Sequence, residues 1–177
     1  MSSGSDHDNL SVEMLIGIIS DTHGLLRPEA VEALRQADAI IHAGDVGDPA
    51  ILAKLHEIAP ITAVRGNVDR GAWARTLLPE VNVLAIAGVA IYVLHIIEQL
   101  DLKPEAAGFA AVIYGHSHVP KQEMKSDVLY FNPGSAGPKR FKLPVSVGRL
   151  EIEAGKITAW IIELHDQTPH PSRKKRD

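Results

Sequence analysis

Five short apolar runs in this chain each stop at a polar cluster, and that recurrence limits the folds open to it. Residues 14–20 end in Asp21-Thr22-His23, residues 39–42 lead to Gly44-Asp45, and residues 61–64 lead to Gly66-Asn67. Residues 89–94 run into His95, and residues 110–114 into Gly115-His116-Ser117-His118. Continuous apolar runs of this length read as buried strands. Polar groups that follow such strands collect where the carboxyl ends of a sheet form a crevice.

Helices separate the first three runs. Residues 28–36 open with Pro28 in the first turn, and Asp48 precedes Pro49 as the N-cap of a helix reaching about Glu57. Strand, helix, strand, helix, strand is the pattern of a parallel sheet with helices on its face. The second half is richer in strands. Residues 81–87 and 89–95 flank Gly88 as a hairpin, and a short helix from about Pro104 leads into 110–114. Residues 119–124, 128–131, 145–151 and 156–163 read as further strands, with turns at Ser126-Asp127 and 153–155. The pattern predicts one α/β domain with two sheets over residues 13–166. Residues 1–12 are expected to be disordered, and 167–177 to form a polar, basic tail containing Arg173-Lys174-Lys175-Arg176.

The chain of 177 residues is long enough for one substantial core. It has no cysteine, which removes disulfides, thiolate metal sites and cysteine nucleophiles. A formal net charge of −4 argues against a stable nucleic-acid partner. No apolar run reaches membrane-spanning length, so no membrane partner and a cytoplasmic location are expected.

The clusters hold carboxylate, imidazole and amide groups sufficient for two metal ions. Asp21 and His23 alternate, and an extended strand end would point both the same way. His116 and His118 repeat that spacing after Gly115. Asp45 is the candidate to bridge both ions with its two oxygens, because Asp48 already serves as the helix cap. The amide oxygen of Asn67 ligates without adding charge. His95 ends an apolar run, and its claim rests on the company it keeps. His42 reads as a packed, hydrogen-bonded histidine. Asp69 either orients a ligand or caps a turn, and Arg65 meets either a substrate phosphate or a surface carboxylate. Coordinating histidines need acceptors for their outer nitrogens, and Asp69 and Asp48 are the nearest groups of the right type.

The order Asp-x-His, Gly-Asp, Gly-Asn, His, Gly-His-x-His resembles the calcineurin-like metallophosphoesterases. Val64-Arg65-Gly66-Asn67 and Asn132-Pro133-Gly134-Ser135 are similar to the small bacterial and archaeal phosphodiesterase branch. The resemblance spans residues 14–163. It implies an α/β fold, a four-layer sandwich of two mixed β-sheets flanked by helices, with the site at strand ends. One metal would take Asp21, His23, Asp45 and His118, and the other Asp45, Asn67, His95 and His116. Asp45, Asn67 and His95 would be the catalytic residues among them. The resemblance implies two divalent ions, manganese first, with iron, zinc, nickel or magnesium as alternatives. A histidine-rich site with oxygen donors favours a transition metal over magnesium alone. Members of this branch often pair, so a homodimer through an exposed sheet edge is expected.

The function expected is hydrolysis of a small phosphoester substrate. A hydroxide bridging two ions about 3.5–4 Å apart would attack phosphorus and cleave a phosphodiester. Val68 stands where many relatives have a histidine that assists the leaving group. Ile96 stands where relatives usually have glycine, and its branched side chain is expected to crowd the cleft beside His95. The alternatives are a phosphomonoesterase or nucleotide phosphatase with the same metals, and a protein-binding scaffold with a degenerate site. A nuclease is disfavoured by the negative charge.

Overall fold

The structure is a computed structural model that describes residues 14–165. The two terminal segments, 1–12 and 167–177, lie outside the described residues. In chain order the elements are β1 (Met14–Ile19), α1 (Pro28–Leu34), β2 (Ala39–His42), α2 (Pro49–His56), β3 (Ile61–Ala63), α3 (Ala72–Leu77), β4 (Val81–Ile86) and β5 (Val89–Leu94). They continue with β6 (Ala111–Ile113), β7 (Lys121–Lys125), β8 (Val128–Asn132), β9 (Ser146–Glu153) and β10 (Lys156–Glu163).

The strands form two mixed five-stranded sheets, ordered β10-β9-β1-β2-β3 and β4-β5-β6-β8-β7. Each sheet carries three neighbouring parallel strands, β1-β2-β3 in the first and β5-β6-β8 in the second. Antiparallel strands complete both. The inner faces interlock through Ile16, Ile18, Ile41, Leu150 and Ile152 against Val89, Ile91, Val93, Ile113 and Phe131. On the outer face of the first sheet, Ala30 and Leu34 of α1, Ile51 and Leu55 of α2 and Ala74 of α3 pack around Ile19 and Ile40. The outer face of the second sheet is covered by Ile97, Leu100, Leu102 and Phe109 over Tyr92, Leu94 and Val112. Helices therefore flank the α/β sandwich of two sheets on the first-sheet side, and the short 3-10 turn and loop between Ile97 and Phe109 close the other.

The local signals are where the sequence places them. Asp48 accepts a hydrogen bond from Ala50 N–H at 2.8 Å and caps α2, with Pro49 next. The turns at Ala87-Gly88, Ser126-Asp127 and Ala154-Gly155 put both central residues at positive φ. That is the mirror-image turn whose twist matches the flanking strands.

Two elements differ from expectation. The helix expected from Pro104 is only a turn, closed by Ala107 N–H to Lys103 O at 3.1 Å and Phe109 N–H to Pro104 O at 3.0 Å. Gly108, at φ 79°, stops it before a helix can pass its costly nucleus. The helix α3 had no expectation, because the seven residues between Gly71 and Pro79 carry too little periodicity to read.

Candidate metal centre

The parallel strands of both sheets finish at one edge, and the polar clusters meet there. The loop after β1 lies along the loop after β2, joined by Asp21 N–H to Gly44 O, His23 N–H to Asp45 O and Gly24 N–H to Val46 O at 2.8–3.0 Å. Gly115 N–H reaches His95 O at 3.0 Å and aligns the loops after β5 and β6. His116 N–H donates to Asp21 Oδ2 at 3.1 Å, which ties the second sheet to the first.

Asp21, His23, Asp45, His116 and His118 all have φ between 47° and 68°. This corrects the extended geometry expected from the alternate spacing. Left-handed backbone is costly for residues other than glycine, and it concentrates at functional sites. Each strand turns sharply at its end, so the side chains point inward across the crevice. Two glycines make room for this. A Cβ at Gly66 would collide with Asp45 Oδ1, and one at Gly115 with Ser20 Oγ.

All seven residues singled out in the sequence converge. Asp21, His23 and His118 form one cluster, and Asp45, His95 and His116 another. In the first, His118 Nε2 lies 3.2 Å from Asp21 Oδ1 and 3.2 Å from His23 Nε2. In the second, Asn67 Oδ1 lies 3.1 Å from His95 Nε2 and 2.9 Å from His116 Nδ1. Asp45 Oδ2 joins them, at 3.9 Å from His23 Nε2 and 3.3 Å from His95 Nε2. The other Asp45 oxygen is occupied, because Oδ1 accepts Val68 N–H at 2.9 Å. One oxygen, not two, thus faces both clusters.

The donor chemistry fits cations. His95 Nδ1–H donates to Ala43 O at 2.7 Å, so in the neutral ring Nε2 carries a lone pair. That lone pair faces Asp45 Oδ2 and Asn67 Oδ1, and three acceptors converging on one point need a positive charge between them. Asp21 Oδ1 is buried with no hydrogen-bond partner, another acceptor left for an ion.

Residues 14–155 match the calcineurin-like phosphoesterase superfamily domain. The chain belongs to this superfamily. A probable metallophosphoesterase of Methanothermobacter thermautotrophicus is 37% identical over 161 residues, covering 84% of this chain and 92% of that protein. The phosphodiesterase YfcE of Escherichia coli is 27% identical, covering 88% of this chain and 95% of the relative. A predicted phosphoesterase from Streptococcus pneumoniae has a crystal structure that superposes with a TM-score of 0.67 at 27% identity. The match covers 86% of this chain and 90% of that one.

Electrostatics in this phosphoesterase follow from the crowding. Burial lowers the pKa of His23, against the pull of Asp45 and Asp21. Burial also disfavours charge on His95, but its contact with Asp45 and the fields of Asp21 and Asp45 raise its pKa above the ordinary value. Burial alone would raise the Asp45 pKa, yet the contact with His95 and the Val68 N–H hold it below the usual carboxylate value. Protonation of His95 and binding of a cation at its Nε2 therefore compete.

Other residues take buttressing positions. Asp69 accepts N–H bonds from Val46, Gly47 and Gly66 at 2.8–3.1 Å and clamps the loops after β2 and β3. It touches no outer histidine nitrogen, and neither does Asp48, which corrects that expectation: a backbone carbonyl serves His95 instead. Arg65 pairs with Glu80. Ile96 adopts an ordinary extended conformation, φ −109° and ψ 112°, and leaves His95 in place. The phosphoesterase also uses residues whose roles the sequence did not reveal. Ser20 Oγ–H donates to Asp21 Oδ2 at 2.6 Å and Ser135 Oγ–H to Asp21 O at 3.0 Å. Asn132 Nδ2 donates to Gly115 O at 2.8 Å and to Ser117 Oγ at 3.1 Å. Their signal was position, since Ser20 and Asn132 stand at the ends of apolar strands.

Proposed function

We propose that this metal-dependent phosphoesterase is a phosphodiesterase. In this reading Asp21, His23, Asp45 and His118 hold one divalent ion, and Asp45, Asn67, His95 and His116 hold the other. Manganese is the metal proposed, because mixed imidazole and carboxylate donors suit a transition ion. The observation that carries the reading is Asp45 Oδ2, which faces the nitrogen donors of both clusters. The name of the E. coli relative supports the choice of a diester.

When bound, such a pair of ions makes water nucleophilic at neutral pH and offsets charge growing on the phosphoryl oxygens. The protein fixes the spacing through Asp45, which Val68 N–H holds in orientation. Asn67 adds no negative charge beside the substrate. Val68 is 40% exposed and has no proton to offer a departing alcohol. Esters with good leaving groups are therefore preferred. A cytoplasmic location, a small-molecule substrate with no stable nucleic-acid partner, and a homodimer complete the proposal. The negative formal charge supports the second of these. Edge strand β4, with Val81 and Val83 exposed, offers a surface for the third.

Metal analysis followed by assays with each reloaded ion tests the reading. Two ions per chain are expected, together with a higher kcat/KM for an aryl diester than for the matching monoester. Aryl diesters should outpace alkyl diesters in the chemical step. A monoester preference would overturn the diester assignment, and failure to bind two ions at neutral pH would favour a scaffold.

A further inference from the structure

Beside the second cluster lies a recess of about 250 Å³ that opens onto Asn67 and His95. Its remaining walls include Ile96, Gln99 and the Arg65–Glu80 ion pair. This is the open side of the centre. Asn67 and His116 are exposed, whereas Asp21 and His118 are buried. A phosphate that reaches the centre from solvent meets Asn67 and His116 first, with the recess alongside.

The walls define what fits. Ile96 has a relaxed backbone and gives the recess an apolar side. Gln99 ends a short 3-10 turn, Ile97–Gln99, with its N–H bonded to Ile96 O at 3.0 Å. That bond anchors the backbone beneath an amide that both donates and accepts. Arg65 is already neutralised by Glu80, so that wall offers paired donors and acceptors and not a bare positive charge. Among the described residues that line the recess, no unpaired cation awaits a second phosphate, and an aromatic ring would cover polar groups without satisfying them. Sites for drug-sized ligands run to about 300–1,000 Å³, so this recess takes a smaller group. Hydroxyl groups on a short carbon chain satisfy both the amide and the ion pair.

We propose that this recess receives a short hydroxylated arm of the phosphodiester, of glycerol or pentose size, and that Gln99 selects it. The proposal rests on the phosphodiesterase reading above. Gln99 touches neither cluster, so it determines specificity without holding a cation.

The test uses the manganese-loaded full chain and two esters, dihydroxypropyl para-nitrophenyl phosphate and propyl para-nitrophenyl phosphate. They differ only in the hydroxyls of the arm, and turnover is scored as the linear dihydroxypropyl or propyl phosphate formed, because the vicinal hydroxyl can itself displace nitrophenolate to give a cyclic phosphate. The wild type should favour the dihydroxypropyl ester about tenfold in kcat/KM, chiefly through KM, the effect of one well-made hydrogen bond. Gln99→Leu, similar in size, should bring that ratio close to one. A wild-type ratio near one, or a ratio that survives Gln99→Leu, overturns the proposal. If neither ester is cleaved, the phosphodiesterase reading fails, and calorimetric binding still judges the recess. Dihydroxypropyl phosphate should bind tighter than propyl phosphate, with the difference lost in Gln99→Leu. Equal binding of the two by the wild type would sink the assignment.

Discussion

His42 is fully buried, and every polar atom on its ring is used. Nδ1 accepts Gly44 N–H at 3.2 Å, while Nε2–H donates to Thr22 Oγ1 at 2.9 Å. Thr22 Oγ1–H in turn donates to Val46 O at 3.0 Å. The chain of bonds demands a neutral ring, and burial lowers its pKa to about 4. An unfolded chain takes up that proton near pH 6.5, so between about 6.5 and 4 the unfolded state binds more protons than the folded one. Stability from His42 is complete above that window and falls through it on acidification, by on the order of 3 kcal/mol. Urea melts of metal-free protein at pH 7 and pH 4.5 measure the loss. His42→Gln, which keeps an N–H for Thr22, should remove most of this pH dependence. His95, whose pKa is raised, acts in the opposite sense at higher pH, so the comparison with His42→Gln isolates the effect. The sequence already marked His42 as packed and bonded. It did not show that Thr22, between Asp21 and His23, is the partner.

At the scale of elements, short helices hold the site through their first residues. The eight-residue helix α2 starts immediately after the Asp45 loop, with Asp48 as its cap. Asp48→Ala should cost about 1 kcal/mol and lower Tm by about 2–4 °C. Because Asp48 touches no ligand, kcat at saturating metal should stay within twofold. A thermal melt and an assay on the same sample check both. Element type was legible wherever local chemistry dictates it. Asp48-Pro49 starts a helix, Ala87-Gly88 makes a tight hairpin, and 156–163 alternates as an outer strand. The turn at Pro104 and the helix α3 were not legible, because segments this short depend on the sheets they pack against for their stability.

For the whole molecule, the centre is a junction between two sheets as well as a place for ions. The first cluster takes Asp21 and His23 from the first sheet and His118 from the second, and the second cluster is split the same way. Divalent metal bound here stabilises only the assembled sandwich. At a hundredfold excess over Kd, one ion adds about 2.7 kcal/mol, which raises Tm by several degrees. Manganese should therefore raise Tm in the wild type, and chelation should reverse the shift and abolish hydrolysis. Asp45→Ala should lose most of that thermal shift and its turnover, with a circular dichroism spectrum like the wild type. A full manganese shift in Asp45→Ala would remove Asp45 from its bridging role. Among the described residues no helix is long and apolar enough to cross a membrane.

The spacing of polar residues after apolar runs was enough to pick out the side chains that the fold brings together and the strands that carry them. Ligand chemistry needs particular residue types, and apolar runs that end in those residues can be read directly. The tertiary structure alone decided how they face one another. Asp21, His23, Asp45, His116 and His118 point inward through left-handed turns, which neighbouring loops impose and which no spacing reveals. It also decided that Asp45 offers a single oxygen, because Val68, distant in sequence, occupies the other. Composition and local propensity act over a few residues, whereas backbone strain and oxygen assignment are set by contacts that exist only once the two sheets have closed on each other.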